Sequence, residues 1–151
     1  MEFLLKISNN MRRLVNKKYI IMLLIMFIVI ILTMEKSPVS SSALKRLNAG
    51  IGMLDMQFGY SQLQVYNMLD IIGIEGQQHY SIFLGIDFIF SIVFMLLQAL
   101  LITVLLKKAE VDGKFGILNL LPLLRSALDI IENCSILTII FRYPIKLKKR
   151  A

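Results

Sequence analysis

Arg125, Asp129, Glu132 and Asn133 recur at i, i+4, i+7 and i+8 inside the otherwise apolar run from Leu123 to Thr138, so at helical spacing they share one face. Leu124, Leu128, Ile131 and Ile139 cover much of the rest of the circumference. Asp87 and Gln98 interrupt a second apolar run, Ser81 to Leu106. Two kinds of chemistry fit such residues. Two or three carboxylates gathered in a cavity repel, so at least one stays protonated near neutral pH and can donate, accept or relay a proton, or hold the polar end of a ligand. Alternatively, Arg125 neutralises Asp129 one turn away while Asn133 and Gln98 form interhelical hydrogen bonds of roughly 0.6 to 2 kcal/mol each, which only fasten helices. One arginine balances one acid and leaves Asp87 and Glu132 to be explained. The candidate ligand-binding set is therefore Asp87, Gln98, Arg125, Asp129, Glu132 and Asn133.

The elements that must position these residues read as membrane helices. An apolar share of 57% and a mean hydropathy of +0.72 over 151 residues exceed what a soluble domain of this size carries. The expected fold is all-α and integral to the membrane, a single domain over 1–151, with three transmembrane helices at about 19–34, 81–106 and 115–141 and an external segment, 35–80, that carries an amphipathic helix. The formal charge of +7 is distributed in short basic clusters beside the apolar runs, which suits anionic lipid and excludes nucleic acid as the natural partner.

Lys6, Arg12, Arg13, Lys17 and Lys18 precede the first run, Tyr19 to Met34, and give it the form of a cytoplasmic anchor. A secretory signal peptide competes with that reading, because Ser41-Ser42-Ala43 follows as a tolerable cleavage site. Pro38, the serines at 40 to 42 and three glycines make Lys36 to Gly59 a loop, with at most a short helix at Ala43 to Asn48. Ser61 and Gln64 have capping-box spacing and Gly73 suits a C′ stop, which predicts a helix from Gln62 to Ile72 with Val65, Met68, Leu69 and Ile72 as its apolar face. His79 and Tyr80 lead into the second run, which ends at Lys107 and Lys108. Tyr60, Tyr66 and Tyr80 suit an aromatic belt, and Cys134 a small helix-packing position. Pro122 either kinks the third run or marks its helical start.

The basic first segment and the Lys107, Lys108 and Lys114 loop agree on an N-terminus inside and Lys36 to Tyr80 outside. A third crossing then leaves Arg142, Lys146, Lys148, Lys149 and Arg150 outside, against the positive-inside tendency. The alternative is a re-entrant hairpin at Pro122; 27 residues are too few for two crossings of roughly 20, and a single crossing is expected. With that orientation Asp87, Glu132 and Asp129 lie roughly 9 to 18 Å below the outer boundary, and Gln98 and Arg125 near 24 to 26 Å, at 1.5 Å per residue.

No P-loop, dinucleotide fingerprint, Gly-x-Ser-x-Gly elbow or His-Glu-x-x-His pair is present. One cysteine and one histidine, Cys134 and His79, offer no disulfide and no metal-ligand spacing, and no cofactor is implied.

Phe58-Gly59-Tyr60-Ser61, Leu69-Asp70-Ile71-Ile72-Gly73-Ile74-Glu75-Gly76, Tyr80, Asp87-Phe88-Ile89-Phe90, Leu121-Pro122-Leu123-Leu124 and Asp129-Ile130-Ile131-Glu132-Asn133 together resemble small, uncharacterised bacterial multi-span membrane proteins. The likeness covers roughly residues 54 to 144. It implies an external amphipathic segment and acidic motifs shared between two spans. In that pattern a pair like Tyr143-Pro144 is followed by a fourth span, which this sequence lacks.

The function expected on these grounds is that of a small bacterial plasma-membrane protein with a polar, outward-opening pocket for a lipid-like or small amphipathic ligand; whether it is an enzyme stays open. A non-enzymatic helper subunit or homo-oligomer is the alternative, and a holin-like pore former suits the long outer segment less well. The partners are membrane lipid and either a second copy or another membrane protein. In cysteine-accessibility mapping, labels at Ser40, Gln77 and Ala151 should react from outside and at Gly113 from inside; labelling of Ala151 only from inside removes the single third crossing.

Overall fold

The computed structural model describes residues 2–47, 53, 54, 57, 59–111 and 113–147, with 113, 114 and 144–147 described in backbone only. Five helices and one 3-10 segment follow in order: α1 (Glu2–Leu14), α2 (Lys17–Lys36), α3 (Ser41–Leu47), α4 (Gln62–Lys108), the 3-10 segment Gly113–Leu120, and α5 (Leu121–Leu147). No strand occurs among the described residues. The helix beginning at Lys17 and α4 are long and apolar enough to cross a membrane. The chain divides into two compact units, Met1–Val29 with Ile89–Asp129, and Ile30–Phe88 with Ile130–Ala151.

In the second unit the expected capping box is present. Ser61 N donates to Gln64 Oε1 at 2.7 Å, and Gln64 N donates to Ser61 Oγ at 3.3 Å. The first arm of α4, residues 62–72, turns Val65, Met68, Leu69 and Ile72 into a core with Leu44, Met53, Leu54, Tyr80, Phe83, Leu84, Ile136, Ile140 and Tyr143. At Gly73 the backbone takes φ 61°, ψ −168°, a region essentially reserved for glycine. A Cβ at Gly76 would overlap the Ile72 side chain. Gln77 Nε2 donates at 3.1 Å to the Leu69 carbonyl, in the last turn before the break.

Several expectations are corrected. Helix resumes immediately after Gly73, so residues 74–80 belong to the same helix as the second apolar run, which reaches roughly 50 Å at 1.5 Å per residue. Tyr80 is fully buried, with its hydroxyl accepting from Leu54 N at 2.9 Å, and is no belt residue. Cys134 is exposed and does not pack between helices. The third run is not one helix over 115–141: Gly113–Leu120 is 3-10 and α5 starts at Leu121. Pro122 accounts for that start, since it lacks an N–H and is tolerated only where the helix leaves that donor unused. The expected end of the short helix at Asn48, and the tail residues Lys148, Lys149, Arg150 and Ala151, lie outside the described residues.

In the first unit, the basic segment expected as a cytoplasmic anchor forms the helix α1, which packs against the 3-10 segment. Ser8 Oγ donates to Gly116 O at 2.8 Å, and Arg12 donates to Val111 O. Lys107 Nζ donates to Arg12 O at 2.6 Å. Asn119 Nδ2 lies 3.0 Å from Thr103 Oγ1 and 3.4 Å from Ser8 O, donating to both. Gly116 allows this approach, because a Cβ there would come within 3.0 Å of the Arg12 guanidinium.

Gly73→Ala should cost on the order of 1 to 3 kcal/mol by forcing a side chain into the glycine-only region. Unfolding in detergent followed by circular dichroism measures it; an unchanged midpoint would show that the break is not required.

Candidate functional site

The second unit brings Asp87 and Asn133 together. Asn133 Nδ2 donates to Asp87 Oδ2 at 2.6 Å, and Asn133 is only 2% exposed. Burial on α5 follows the line Pro122, Ser126, Asn133, Ile136, Ile140 and Tyr143, spaced to fall on one face. Glu132 is exposed, at the edge of that face, so the four-residue polar stripe is not turned inward as a block. The Asn133 amide supplies Asp87 with a donor, so this contact links α4 to α5.

The first unit brings together Arg125 and Asp129, with Arg125 Nη2 at 2.8 Å from Asp129 Oδ2. The same oxygen accepts from Ser91 Oγ at 3.1 Å. The Arg125 guanidinium lies 5.0 Å from the centre of the Phe94 ring, and Phe94 stacks with Phe27 at 5.1 Å and Phe90 at 5.4 Å. Ser126 Oγ adds a hydrogen bond to Ser91 O at 3.3 Å. Gln98, the sixth candidate, has its Oε1 buried without a hydrogen-bond partner. Ser91 and Ser126 were missed by the sequence reading. The signal was available, because Ser91 stands four residues after Asp87 and Ser126 beside Arg125, where small hydroxyls suit close helix contacts.

Three cavities are lined by other residues. A cavity of about 450 Å³ in the second unit is bordered by Ile74, Gln77, Gln78, Ser81, Ile82, Ile140 and Phe141. Its amides and hydroxyl come from one turn of α4, with Ile74 before them and Ile82 after them in sequence, and Ile140 and Phe141 come from α5. A smaller one, about 130 Å³, is lined by Tyr66, Thr138, Ile139, Arg142 and Tyr143. There the Tyr66 and Tyr143 rings lie 5.5 Å apart, and the Tyr143 hydroxyl donates to Tyr66 O at 3.3 Å. A third, on α2, is bordered by Lys18, Ile21, Met22, Ile25 and Met26. None of the six predicted side chains lines any of these three cavities. Among the described residues no group of three His, Cys, Asp or Glu side chains is placed to hold a metal ion. Gln77, Gln78 and Ser81 escaped notice because residues 74–80 read as a linker, where an i, i+1, i+4 polar set has no common face.

A double-mutant cycle with Asp87→Ala and Asn133→Ala should give a coupling of roughly 1 to 2 kcal/mol in detergent unfolding, with each single change weakening the fold. Coupling indistinguishable from zero would remove this contact from the structure's support. No protein-family model, curated protein or solved structure matches the chain.

Proposed function

We propose that this chain is a three-span protein of a bacterial plasma membrane, N-terminus inside, that binds a lipid-like or small amphipathic molecule in the cavity between Gln77, Gln78, Ser81 and Ile82 on α4 and Ile140 and Phe141 on α5. The spans are α2, residues 81–106 of α4, and α5. What supports α5 as the third span is that Leu121, Leu124, Leu128 and Ile131 are each more than half exposed, beside the exposed Arg125 and Glu132, while Ser126 and Asn133 are buried. The buried polar groups find their partners within the protein, as lipid requires. The clamp of α1 onto Lys107, Val111 and Gly116 supports a common side for the first helix and the α4–α5 link.

The single observation that carries the ligand reading is the cavity's composition. Two carboxamides and a hydroxyl line it together with three isoleucines and a phenylalanine, which suits a molecule with polar and apolar parts. On the proposed depth scale Ser81 and Phe141 mark the outer boundary, so the cavity lies at headgroup level. Asp87, Asn133, Arg125 and Asp129 then serve as fasteners that hold α4 and α5 in place.

The second reading, a helper subunit or homo-oligomer, is favoured by α2. Of its twenty residues only Leu23 is buried, with Ile20, Phe27, Ile30, Ile31 and Met34 half-buried, while Ile21, Leu24, Ile25, Ile28 and Leu32 are exposed to lipid or another helix. Phe27, stacked with Phe90 and Phe94, still ties it to the fold, which favours a retained span over a cleaved signal.

Ser81→Phe should fill the cavity and weaken binding of a fluorescent single-chain phospholipid at least about tenfold, equivalent to roughly 1.4 kcal/mol. Asp87→Asn should leave that affinity unchanged. Titration of reconstituted protein measures both; full binding by Ser81→Phe, or loss confined to Asp87→Asn, would overturn the assignment.

A further inference from the structure

We infer that α1 is an in-plane helix that docks onto an anionic phospholipid surface through Phe3, Leu4 and Leu14, held there by its clamp on the α4–α5 link; this rests on the reading of α2 as a span. The residues of α1 divide into three stripes at helical spacing. Ser8 and Arg12 face the link: Ser8 is 1% exposed and bonded to Gly116, and Arg12 is bonded to Val111 and Lys107. Glu2, Lys6, Asn9 and Arg13 form a polar stripe, all of them exposed. Phe3, Leu4, Ile7, Met11 and Leu14 form the third stripe, and nothing in the first unit covers its outer residues: Phe3 is 73%, Leu4 43% and Leu14 54% exposed.

A helix fixed on one side and open on an apolar side needs an occupant for that side. Charge and position identify it. Lys6 and Arg13 flank the apolar stripe, Lys17 and Lys18 follow it, and Lys107 and Lys108 close α4 beside it, while Glu2 is the one acid of α1. Basic residues bordering an apolar stripe complement acidic headgroups above acyl chains. The distance is also set. Only Val15 and Asn16 separate Leu14 from Lys17, a reach of at most about 11 Å. Asn16 Oδ1 accepts from Lys18 N at 2.9 Å and starts α2 there, so the end of α1 is held next to the point where the apolar helix begins. A second copy of the chain would bring a like-charged set of basic residues to the same face.

The chain contains no tryptophan, so single substitutions report locally. Phe3→Trp and Ile25→Trp are each introduced into the full chain and reconstituted in phosphatidylglycerol–phosphatidylcholine vesicles carrying bromine either near the headgroups or near the bilayer centre. Phe3→Trp should be quenched roughly twofold or more by the shallow bromines and much less by the deep ones, with weaker quenching in purely zwitterionic vesicles, the signature of an interfacial helix. Ile25→Trp should be quenched by the deep bromines. No shallow quenching of Phe3→Trp while Ile25→Trp is quenched would overturn the docking and leave the span standing. Absence of deep quenching at Ile25→Trp would overturn the span itself. Protection of Phe3→Trp from aqueous iodide without bromine quenching, lost on dilution of protein in the vesicles, would assign the face to a second copy and overturn the lipid assignment.

Discussion

Between two apolar helices in lipid there is no hydrophobic force to hold them together, because acyl chains solvate leucine as well as another leucine does. What remains is close packing and polar contacts made out of reach of water. On the proposed reading of α4 and α5 as spans, each unit of this chain supplies a polar contact between them. In one, Asn133 donates to Asp87. In the other, Ser91 donates to Asp129, Ser126 donates to the Ser91 carbonyl, and Arg125 pairs with Asp129 while covering the Phe94 ring.

The same constraint accounts for the segments outside the long helices. Eight residues of 3-10 helix is longer than that conformation usually persists, because its hydrogen-bond geometry is poor. Here it is braced from outside: Ser8 and Arg12 of α1 satisfy the Gly116 and Val111 carbonyls, and Asn119 joins Ser8 to Thr103. Pro122 then releases the chain into α5. At the far end of α4 the Gly73 break has its own brace, the Gln77 amide on the Leu69 carbonyl. Both irregular stretches are therefore held by side chains that a bare hydropathy profile treats as incidental.

How far these features are legible in the residues depends on the range of the interaction. The capping box at Ser61 and Gln64 and the apolar face from Val65 to Ile72 are local, and each appears as read. The restart of helix at residue 74 was hidden because Gly73 and Gly76 look like loop punctuation, while the physical requirement at Gly76 is only room for the Ile72 side chain. The amphipathic character of α1 was masked by its basic charge. For the polar face of α5, spacing correctly joined Arg125 to Asp129. It could not say that the buried line runs through Ser126 and Asn133 and leaves Glu132 at its edge, since that depends on which side α4 occupies.

That rotation of α5 decides what its polar residues can do. Asn133 stands against Asp87 and offers its carboxyl group an amide donor that has no titratable proton in the physiological range. Asp129 is likewise committed, its Oδ2 bonded to both Arg125 and Ser91. Groups used in this way resist reorientation, which suits a scaffold and disfavours a carrier that must exchange partners in each cycle. The cavity beside Gln77, Gln78 and Ser81 is separate from these acids, and there Gln77 Nε2 is bonded to the Leu69 carbonyl and Ser81 Oγ to the Gln77 carbonyl. Asp87 and Asp129 each accept from the opposite helix, and the cavity is lined by other residues of α4 and α5.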